Sequence, residues 1–408
     1  MADATHGAMR ILYSFPHALG APGIGTTAVN QVLGLLGRHN DVRVVAASIH
    51  KSSTFPQARV TTTMVYGGVR IPHKILGLDR TMALHDRRVA KYLKAHAADF
   101  DVVHCWPGAA LHTPKVAAAL NLPALREVPN THTGNAYAVV ARVCEDLGIE
   151  LPRGHSHKMN ISRLAQEEAE YEVSHRLLVP SDPVRQSFLD RGFSPQKLLR
   201  HQYGFDPAAF KPREGPRSGP FHAVFLGTVE PRKGLHIALE AWRRAGAHQR
   251  ARFSIYGRIV EEYRPAIRDY LQLPNVQLHE FTDDAAAVLR EADALVLPSF
   301  EEGSALVTYE AQGCGAIPVV SDAAGAQCEH LVTGMVHPAG DVDMLAGHFS
   351  QLIGDPGLLE NLRAGVLRQR DKLTWAAAAE RLEHCYGQAR TALANPKAPL
   401  SAAPATSQ

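Results

Sequence analysis

Residues 299–321 have the sequence SFEEGSALVTYEAQGCGAIPVVS. An apolar run, ALVL, precedes this segment at 294–297, and a second run, IPVV, lies within it at 317–320. Both runs are typical of buried parallel strands. Gly303 suits a turn into a helix, and Gly313 and Gly315 suit the end of that helix. The segment therefore predicts strand, loop, helix and strand, the repeating unit of an α/β domain with a parallel sheet.

Glu310 stands out in the predicted helix because its neighbours at helical spacing, Leu306 and Val307, are apolar. We expect that stripe to face the sheet, where a carboxylate is costly unless hydrogen-bond donors reach it. Two interpretations stay open. Either the helix is rotated and Glu310 is solvated, or the carboxylate grips hydroxyl groups of a ligand. In the second case the N–H groups at the helix start, at Ser304, Ala305 and Leu306, would bind a phosphate.

The block from Pro298 to Val320 resembles the signature of the GT-B retaining glycosyltransferases of family 4, in which seven residues separate two glutamates. Glu302 and Glu310 occupy these two positions. The resemblance implies a nucleotide-sugar donor, with Glu302 holding hydroxyls of the transferred sugar and Glu310 accepting hydrogen bonds from the donor ribose. It also implies that the helix N-terminus stabilises the diphosphate.

Length and composition indicate a globular protein with two domains. A chain of 408 residues is longer than a domain built around a single hydrophobic core usually is. A composition of 45% hydrophobic and 20% charged residues is typical of soluble folds. The net charge of +3 does not call for a nucleic-acid partner. The five scattered cysteines show no spacing for zinc or a disulfide framework, which fits a reducing compartment. We expect a cytoplasmic protein without a signal peptide or membrane span.

The start of the chain predicts a nucleotide-binding fold. A strand at 9–15 is followed by a loop with Gly23 and Gly25 and by a helical pattern at 26–36. The glycine spacing lacks the full dinucleotide fingerprint, so a plain turn stays an alternative. The family resemblance implies that backbone N–H groups of this loop approach the donor diphosphate and the acceptor.

A strand at 123–128 leads into a polar loop that contains His132. Residues 136–173 then follow a helical, polar pattern, and a strand is predicted at 176–181. Further pieces resemble a subset of the family: Glu170-Tyr171, Val179-Pro180-Ser181 and Gly204-Phe205-Asp206. The resemblance implies that the ring or backbone of His132 lies beside the transferred sugar; an exposed loop histidine is the alternative.

A segment rich in proline and glycine at 211–220 predicts a linker and the domain boundary. The unit after it resembles the family pattern G-R-L-x-x-x-K-G, in which the arginine and lysine bind the donor phosphates. Gly227 and Lys233 match this pattern, whereas Thr228 stands where the arginine is usual. We interpret Arg232 as the compensating cation.

These observations predict two doubly wound, Rossmann-like α/β domains that face each other across a cleft, the GT-B architecture. Residues 1–210 would form the acceptor-side domain, completed by a helix at about 375–392. Residues 211–374 would form the domain that binds the nucleotide-sugar donor. The tail at 393–408 is rich in Pro, Ala and Ser and is expected to be disordered.

The expected activity is retaining, metal-independent transfer of a sugar from a UDP- or GDP-sugar to the hydroxyl of a small-molecule, glycan or lipid-linked acceptor, with no cofactor. The expected catalytic residues are His132, Glu302 and Lys233. A front-face route is preferred, in which the leaving phosphate takes the acceptor's proton. Glu127 keeps a double displacement open as the minority alternative.

Other interpretations remain at this level. Asp341 and Asp343 resemble the paired-aspartate metal site of another glycosyltransferase class, but their position favours helix capping. A basic helical region at 80–96 is either a solvated face or a contact with an anionic membrane or acceptor. Alternative functions are a nucleotide-sugar epimerase, a phosphorolytic enzyme of similar fold, a non-catalytic nucleotide-sugar binder and a dinucleotide oxidoreductase.

Overall fold

The computed structural model describes residues 8–51, 53, 55–56, 59–66, 69–70, 77–215 and 218–395 of the chain. The predicted tail lies outside the described residues from 396 onward, as do positions 216 and 217 of the predicted linker.

The first domain contains a sheet of seven parallel strands. In chain order its strands are β1 Arg10–Leu19, β2 Asp41–Ile49, β3 Val60–Thr62, β6 Val102–Cys105, β7 Ala124–Glu127, β8 Arg176–Val179 and β9 Leu198–Arg200. A small antiparallel pair, β4 Val65–Tyr66 and β5 Val69–Arg70, stands apart from the sheet. The helices are α1 Ile24–Gly37, α2 Leu78–Ala95, α3 His112–Ala119, α4 Thr133–Asp146, α5 Ile161–Val173 and α6 Asp182–Leu189. The spatial order is β3-β2-β1-β6-β7-β8-β9.

The second domain contains a sheet of six parallel strands. They are β10 His222–Leu226, β11 Arg252–Tyr256, β12 Val276–His279, β13 Ala294–Leu297, β14 Ile317–Ser321 and β15 Met335–His337. The remaining helices are α7 Leu235–Arg244, α8 Arg264–Ile267, α9 Ala285–Arg290, α10 Leu306–Cys314, α11 Val342–Gly354, α12 Pro356–Gln369 and α13 Trp375–Ala394. The spatial order is β12-β11-β10-β13-β14-β15.

Both sheets reverse their strand order once, between β1 and β6 in the first domain and between β10 and β13 in the second. In open parallel sheets, ligands bind beyond the carboxyl ends of the strands at such a switch point. The predicted fold, two Rossmann-like α/β domains with parallel sheets, is confirmed. It directs attention to the loops after β10 and β13.

Helix α13 returns from the second domain and packs on the first. A Cβ on Gly34 of α1 would lie 2.7 Å from the Cβ of Ala379, so the two helices touch at a glycine. Asn40 Nδ2 donates to Glu383 Oε1 at 2.9 Å. The chain enters and leaves the second domain at one place, because the Phe205 N–H donates to the Leu373 carbonyl at 3.1 Å.

The predicted continuous helical run at 136–173 is wrong. Two helices, α4 and α5, are separated by a non-helical segment at 147–160, which we call the insert loop. Gly148 and Gly154 adopt left-handed conformations with φ of 63° and 85°, and Pro152 lies between them. These residues end the helical ladder, and the insert loop extends to the second domain instead.

The basic helix predicted at 80–96 is α2, and its side chains Arg87, Lys91 and Lys94 are exposed. Arg88 instead donates to the backbone carbonyl of Thr63. Within the described ranges, no helix has both the length and the apolar character required to cross a bilayer.

Candidate active site between the domains

Two loops of the second domain lie side by side at the carboxyl edge of its sheet. The Phe300 N–H, after β13, donates to the Arg232 carbonyl, after β10, at 2.8 Å. Gly234 has φ +67°, and a Cβ there would lie 2.2 Å from the Pro298 carbonyl oxygen. The glycine after Lys233 is therefore required for the two loops to approach.

The buried guanidinium of Arg232 gathers three carboxylates. It donates from Nε to Glu230 Oε1 at 3.0 Å and pairs through Nη1 with Glu302 Oε2 at 2.9 Å. Nη1 also lies 3.3 Å from Glu301 Oε2 and donates to the Glu301 backbone carbonyl oxygen at 2.7 Å. Arg232 was predicted to bind the donor phosphates; in this structure its donors are directed to carboxylates. Its role toward a donor stays a prediction.

Lys233 lies against the same cluster. Its Nζ donates to Glu302 Oε1 at 2.5 Å. Gly227 lies beside the lysine stem, and its φ of +149° is a backbone conformation that favours glycine. Burial alone would raise the pKa of Glu302, but the charges of Arg232 and Lys233 outweigh it and hold the pKa at about 2. Glu302 and Lys233, two predicted site residues, are thus brought into direct contact.

Glu301 joins the two domains. Its Oε1 accepts hydrogen bonds from the Thr131 N–H at 3.0 Å and from the Thr131 hydroxyl at 2.7 Å. The Ser181 hydroxyl donates to the Gly303 carbonyl across the same boundary. A Cβ on Gly303 would lie only 1.7 Å from the Pro129 carbonyl oxygen. The glycine after Glu302 therefore has an interdomain role that its turn propensity did not indicate.

The insert loop adds a second interdomain link. His155 Nε2 lies 3.0 Å from Glu230 Oε2, and His157 Nε2 lies 3.9 Å from Glu301 Oε2. Glu230, Glu301 and His155 were not among the site residues predicted from the sequence. Glu301 borders the recognised motif, but its pairing with a loop of the first domain leaves no local sequence pattern.

Glu310 is partly buried on α10, and within the described part of the chain it has no hydrogen-bond or ion-pair partner. Burial alone raises the pKa of this carboxyl to about 7. Leu306 and Val307 are only partly buried, but Val307 packs against core residues of the sheet, so the expected orientation of the stripe stays a prediction. The buried residues of α10 are Thr308, Tyr309, Ala311, Gln312, Gly313 and Cys314. Glu310 is neither in the core nor fully solvated.

The N-terminus of α10 is open. Ala305 is the N-cap residue and no side chain caps the helix. Among the described residues, no acceptor receives the N–H groups of Leu306 and Val307. The Ser304 side chain is already engaged within the protein. Its hydroxyl lies 2.8 Å from the Tyr309 hydroxyl and donates to the Gly325 carbonyl at 3.0 Å. The Ala305 N–H is directed to the Ala324 carbonyl at 3.4 Å.

His132 is a buried residue at the start of α4. Its ring is packed between Tyr171 and Phe188, each 5.0 Å away between ring centroids, and the residue is only 2% exposed. Nδ1 accepts the Gly134 N–H at 3.1 Å and so caps α4. Burial, with a smaller contribution from Arg191, lowers the pKa of His132 to about 4. The exposed-loop interpretation is wrong for this packed capping residue, whereas its position beside the transferred sugar and its catalytic role stay predictions.

A buried ion-pair network fixes the start of α4. Arg126 donates to Glu170 at 3.0 Å and to Glu167 at 2.9 Å, and its guanidinium carbon lies 4.4 Å from the centroid of the Tyr171 ring. The Thr133 hydroxyl also donates to Glu167 at 2.9 Å. The Glu170-Tyr171 piece of the motif therefore supports the loop that carries Thr131.

Glu127 has no access to the cleft. Its carboxylate is fully buried, accepting from Gln31 at 3.1 Å and from the Tyr203 hydroxyl at 2.9 Å, with His201 Nε2 also at 2.9 Å. Burial would raise its pKa, but the neighbouring His201 and His104 hold the pKa well below its usual range. A carboxylate enclosed in this way does not fit the nucleophile of a double displacement.

Backbone conformation and close packing explain the glycines in the glycine-rich loop of the first domain. Gly23 has φ +83° and is the N-cap of α1. A Cβ on Gly25 would lie 2.8 Å from the Ala18 carbonyl oxygen. The loop borders a cavity of about 260 Å³ that is lined by Pro16, His17, Ala18, Ala21, Pro22, Ile24, Gly25, Ala47, Met64, Leu78 and Thr81. A ligand contact by Gly23 or Gly25 stays a prediction.

Asp341 caps α11, as predicted, by accepting the Met344 N–H at 2.9 Å. Asp343 pairs with Arg244 at 2.6 Å on the surface. The two carboxylates are thus directed to different partners.

Comparison with known proteins supports this description of the second domain. Residues 220–355 match the family described as "Glycosyl transferases group 1". A D-inositol 3-phosphate glycosyltransferase from Thermobispora bispora is 35% identical over 103 residues, 24% of this chain and 24% of that protein. The chain thus matches about a quarter of the length of this relative. The resemblance predicted from the glutamate motif is confirmed over this region.

Solved structures extend the likeness to both domains. A sucrose-phosphate synthase from Thermosynechococcus elongatus has a TM-score of 0.68 at 18% identity, covering 94% of this chain and all of that one. The crystal structure of Anabaena HepE in complex with UDP has a TM-score of 0.66 at 15% identity, covering 93% and 100%. At these identities the likeness shows the shared fold.

Proposed function

We propose that this protein transfers a sugar from a nucleoside diphosphate sugar to an acceptor hydroxyl, with retention of anomeric configuration. The observation that carries the proposal is Glu310, a carboxylate with no partner among the described residues, one helical turn from the open N-terminus of α10. Burying a carboxylate without a donor costs free energy, which hydroxyl groups of a ligand would recover. The family match over residues 220–355 favours a glycosyltransferase over the other nucleotide-binding classes.

The donor would lie along α10. Glu310 would accept hydrogen bonds from the ribose hydroxyls, and the N–H groups of Leu306 and Val307 would bind the diphosphate. A uridine or guanosine diphosphate sugar is the proposed donor class, and the UDP bound by Anabaena HepE supports it. The acceptor would approach from the first domain.

Lys233 and Glu302 would exchange partners when the donor binds. In the free protein each oxygen of Glu302 faces a cation, Lys233 on one side and Arg232 on the other. Lys233 can turn to the diphosphate without leaving Glu302 unpaired, because Arg232 remains 2.9 Å away. The carboxylate oxygen released by Lys233 would then hold a hydroxyl of the transferred sugar. We therefore propose that Arg232 is a positioning residue for Glu302.

We expect Glu310→Gln to weaken binding of the nucleoside diphosphate about tenfold or more, since charge-assisted hydrogen bonds contribute about 1.5–3 kcal/mol each. Ribose hydroxyls bind best to the ionised carboxylate, so affinity should rise as the pH increases through 7, the approximate pKa of Glu310. Between pH 6 and pH 8 the ionised fraction changes about tenfold. Calorimetric titration of both proteins at each pH measures this effect.

The diphosphate also titrates in this range, but it does so equally for both proteins. The difference between the wild-type and Glu310→Gln slopes therefore isolates the carboxylate. Equal affinities, or parallel slopes, would contradict the ribose contact.

Transferase activity is tested by following donor consumption with and without acceptors. A transferase requires the acceptor for rapid turnover, whereas an epimerase converts the sugar without it and a non-catalytic binder consumes nothing. Retention is proposed by a front-face route, in which the leaving phosphate takes the acceptor's proton, and the enclosed carboxylate of Glu127 supports this choice. NMR of the first-formed linkage gives the stereochemistry, and an inverted anomeric centre would overturn the proposed site.

We also propose that turnover does not require a divalent metal on the diphosphate, because Lys233 and the N-terminus of α10 can stabilise the leaving charge. The expected result is unchanged kcat in excess chelator at saturating donor and acceptor. A loss of kcat that manganese or magnesium restores would contradict this proposal.

A further inference from the structure

Three potential metal ligands meet where the insert loop reaches the second domain. His155, His157 and Glu230 each place a ligand atom within 4.8 Å of the other two. His155 Nε2 and Glu230 Oε2 are already 3.0 Å apart. Ligand atoms of a tetrahedral zinc centre lie about 3.4 Å apart. The widest separation in the group would therefore have to close by at most about 1.4 Å.

The surroundings already orient these ligands. His155 Nε2 is directed to Glu230, while His155 Nδ1 accepts the His157 N–H at 3.2 Å. This second contact must open when Nε2 binds a metal, because the ring proton then moves to Nδ1. On Glu230 the other oxygen, Oε1, accepts from Arg232 at 3.0 Å. The contact from Arg232 is of the kind that sets the orientation of carboxylate ligands in metal sites.

We propose that His155, His157 and Glu230 bind one divalent transition-metal ion, Zn²⁺ by ligand chemistry, which links the insert loop to the second domain. Two imidazoles and one carboxylate form a zinc donor set that leaves a fourth position open. Two ligands come from the first domain and one from the second, so the ion binds tightly only while the domains are together. It has a linking role, and no step of the proposed transfer passes through it.

The charge of the neighbouring cluster gives the ion a second effect. Arg232 and Lys233 carry two positive charges, and Glu230, Glu301 and Glu302 carry three negative charges, which leaves a net charge of −1. A divalent ion changes this sum to +1. Insofar as the proposed function holds, the ion should therefore lower the KM for the anionic donor while kcat stays unchanged.

The test is Zn²⁺ binding to the full-length, metal-stripped protein without nucleotide, measured by competition with a chromophoric chelator. We expect one site that is tighter than any other site on the protein. His155→Asn and His157→Asn should each weaken that site at least tenfold. Co²⁺ substitution should give the intense visible absorption of a tetrahedral centre in the wild type and not in the variants.

His39→Asn is the matched control in this histidine-rich chain. His39 is exposed, and its φ of 66° is one that asparagine tolerates, so only a surface imidazole is lost. Cooperative thermal unfolding in chelator should be seen for all four proteins, which shows that the variants fold, with a lower midpoint for His155→Asn because it loses the hydrogen bond to Glu230. Zn²⁺ should then raise the midpoint for the wild type and His39→Asn but not for His157→Asn.

Equal Zn²⁺ affinity in all four proteins, or no stoichiometric site at micromolar Zn²⁺, would overturn the proposal. Because these measurements contain no nucleotide, they do not depend on the proposed transferase activity. Stoichiometric binding that leaves the donor KM unchanged would retain the metal site and reject only its electrostatic effect.

Discussion

Lys233→Met should lower kcat about 10²–10³-fold, the size of effect expected when one preorganised group that stabilises developing charge is lost. As the glycosidic bond breaks, negative charge accumulates on the leaving diphosphate. In the proposed donor site the Lys233 ammonium, which lies 2.5 Å from Glu302, turns to the diphosphate when the donor binds. Nucleotide affinity should fall by a smaller factor, because the charge is greater in the transition state than in the bound donor.

The measurement is steady-state kcat together with the calorimetric Kd of the nucleoside diphosphate. Lys211→Met, the loss of an exposed lysine of the same domain, is the matched control and should leave both values unchanged. If Lys233→Met lowers affinity and kcat by equal factors, Lys233 only contributes to ground-state binding. A kcat that stays within a few-fold of the wild type would remove it from the catalytic residues.

The contact between Lys233 and Glu302 makes their effects interdependent. Glu302→Ala should also cause a large fall in kcat with little change in nucleotide affinity, because Glu302 is proposed to hold the transferred sugar. Combining the two substitutions should cost less than the sum of the single effects. Simple additivity would show that Lys233 and Glu302 act independently.

Gly303→Ala is expected to have the second large effect, since it places a methyl group where two backbones meet. The new Cβ would lie 1.7 Å from the Pro129 carbonyl oxygen. Backbone on both sides cannot yield as a flexible side chain does, so the domains must separate locally. The Glu301 hydrogen bonds to Thr131 and the Ser181 contact should then be lost.

We expect kcat/KM of Gly303→Ala to fall at least a hundredfold, with a destabilisation of about 1–3 kcal/mol as in overpacked sites. The stability effect is the smaller one because each domain keeps its own core. Gly347→Ala is the control: this exposed helical glycine has no atom within 4 Å of the new Cβ. It should be neutral or slightly stabilising. Full activity of Gly303→Ala would show that the domains do not need this close contact.

Much of the fold could be predicted from local pattern. Apolar runs and the glycines that end them predict the strands at 294–297 and 317–321 and the helix between these strands. The same two signals recur along the rest of the chain. Lys233, Glu302 and Glu310 were selected for the same reason, because their types and spacing match a long motif. Such signals depend on residues close in sequence, so they need no knowledge of the packed structure.

The partners of those residues depended on tertiary structure. Arg232, predicted to replace a missing arginine, is directed to carboxylates, and His132, predicted to face a sugar, caps a helix among aromatic rings. The link from His155 to Glu230 joins two domains. A buried charge or ring takes the partner that packing places within a few ångströms, since desolvation makes every other arrangement costly. Separation along the chain carries no information about that distance.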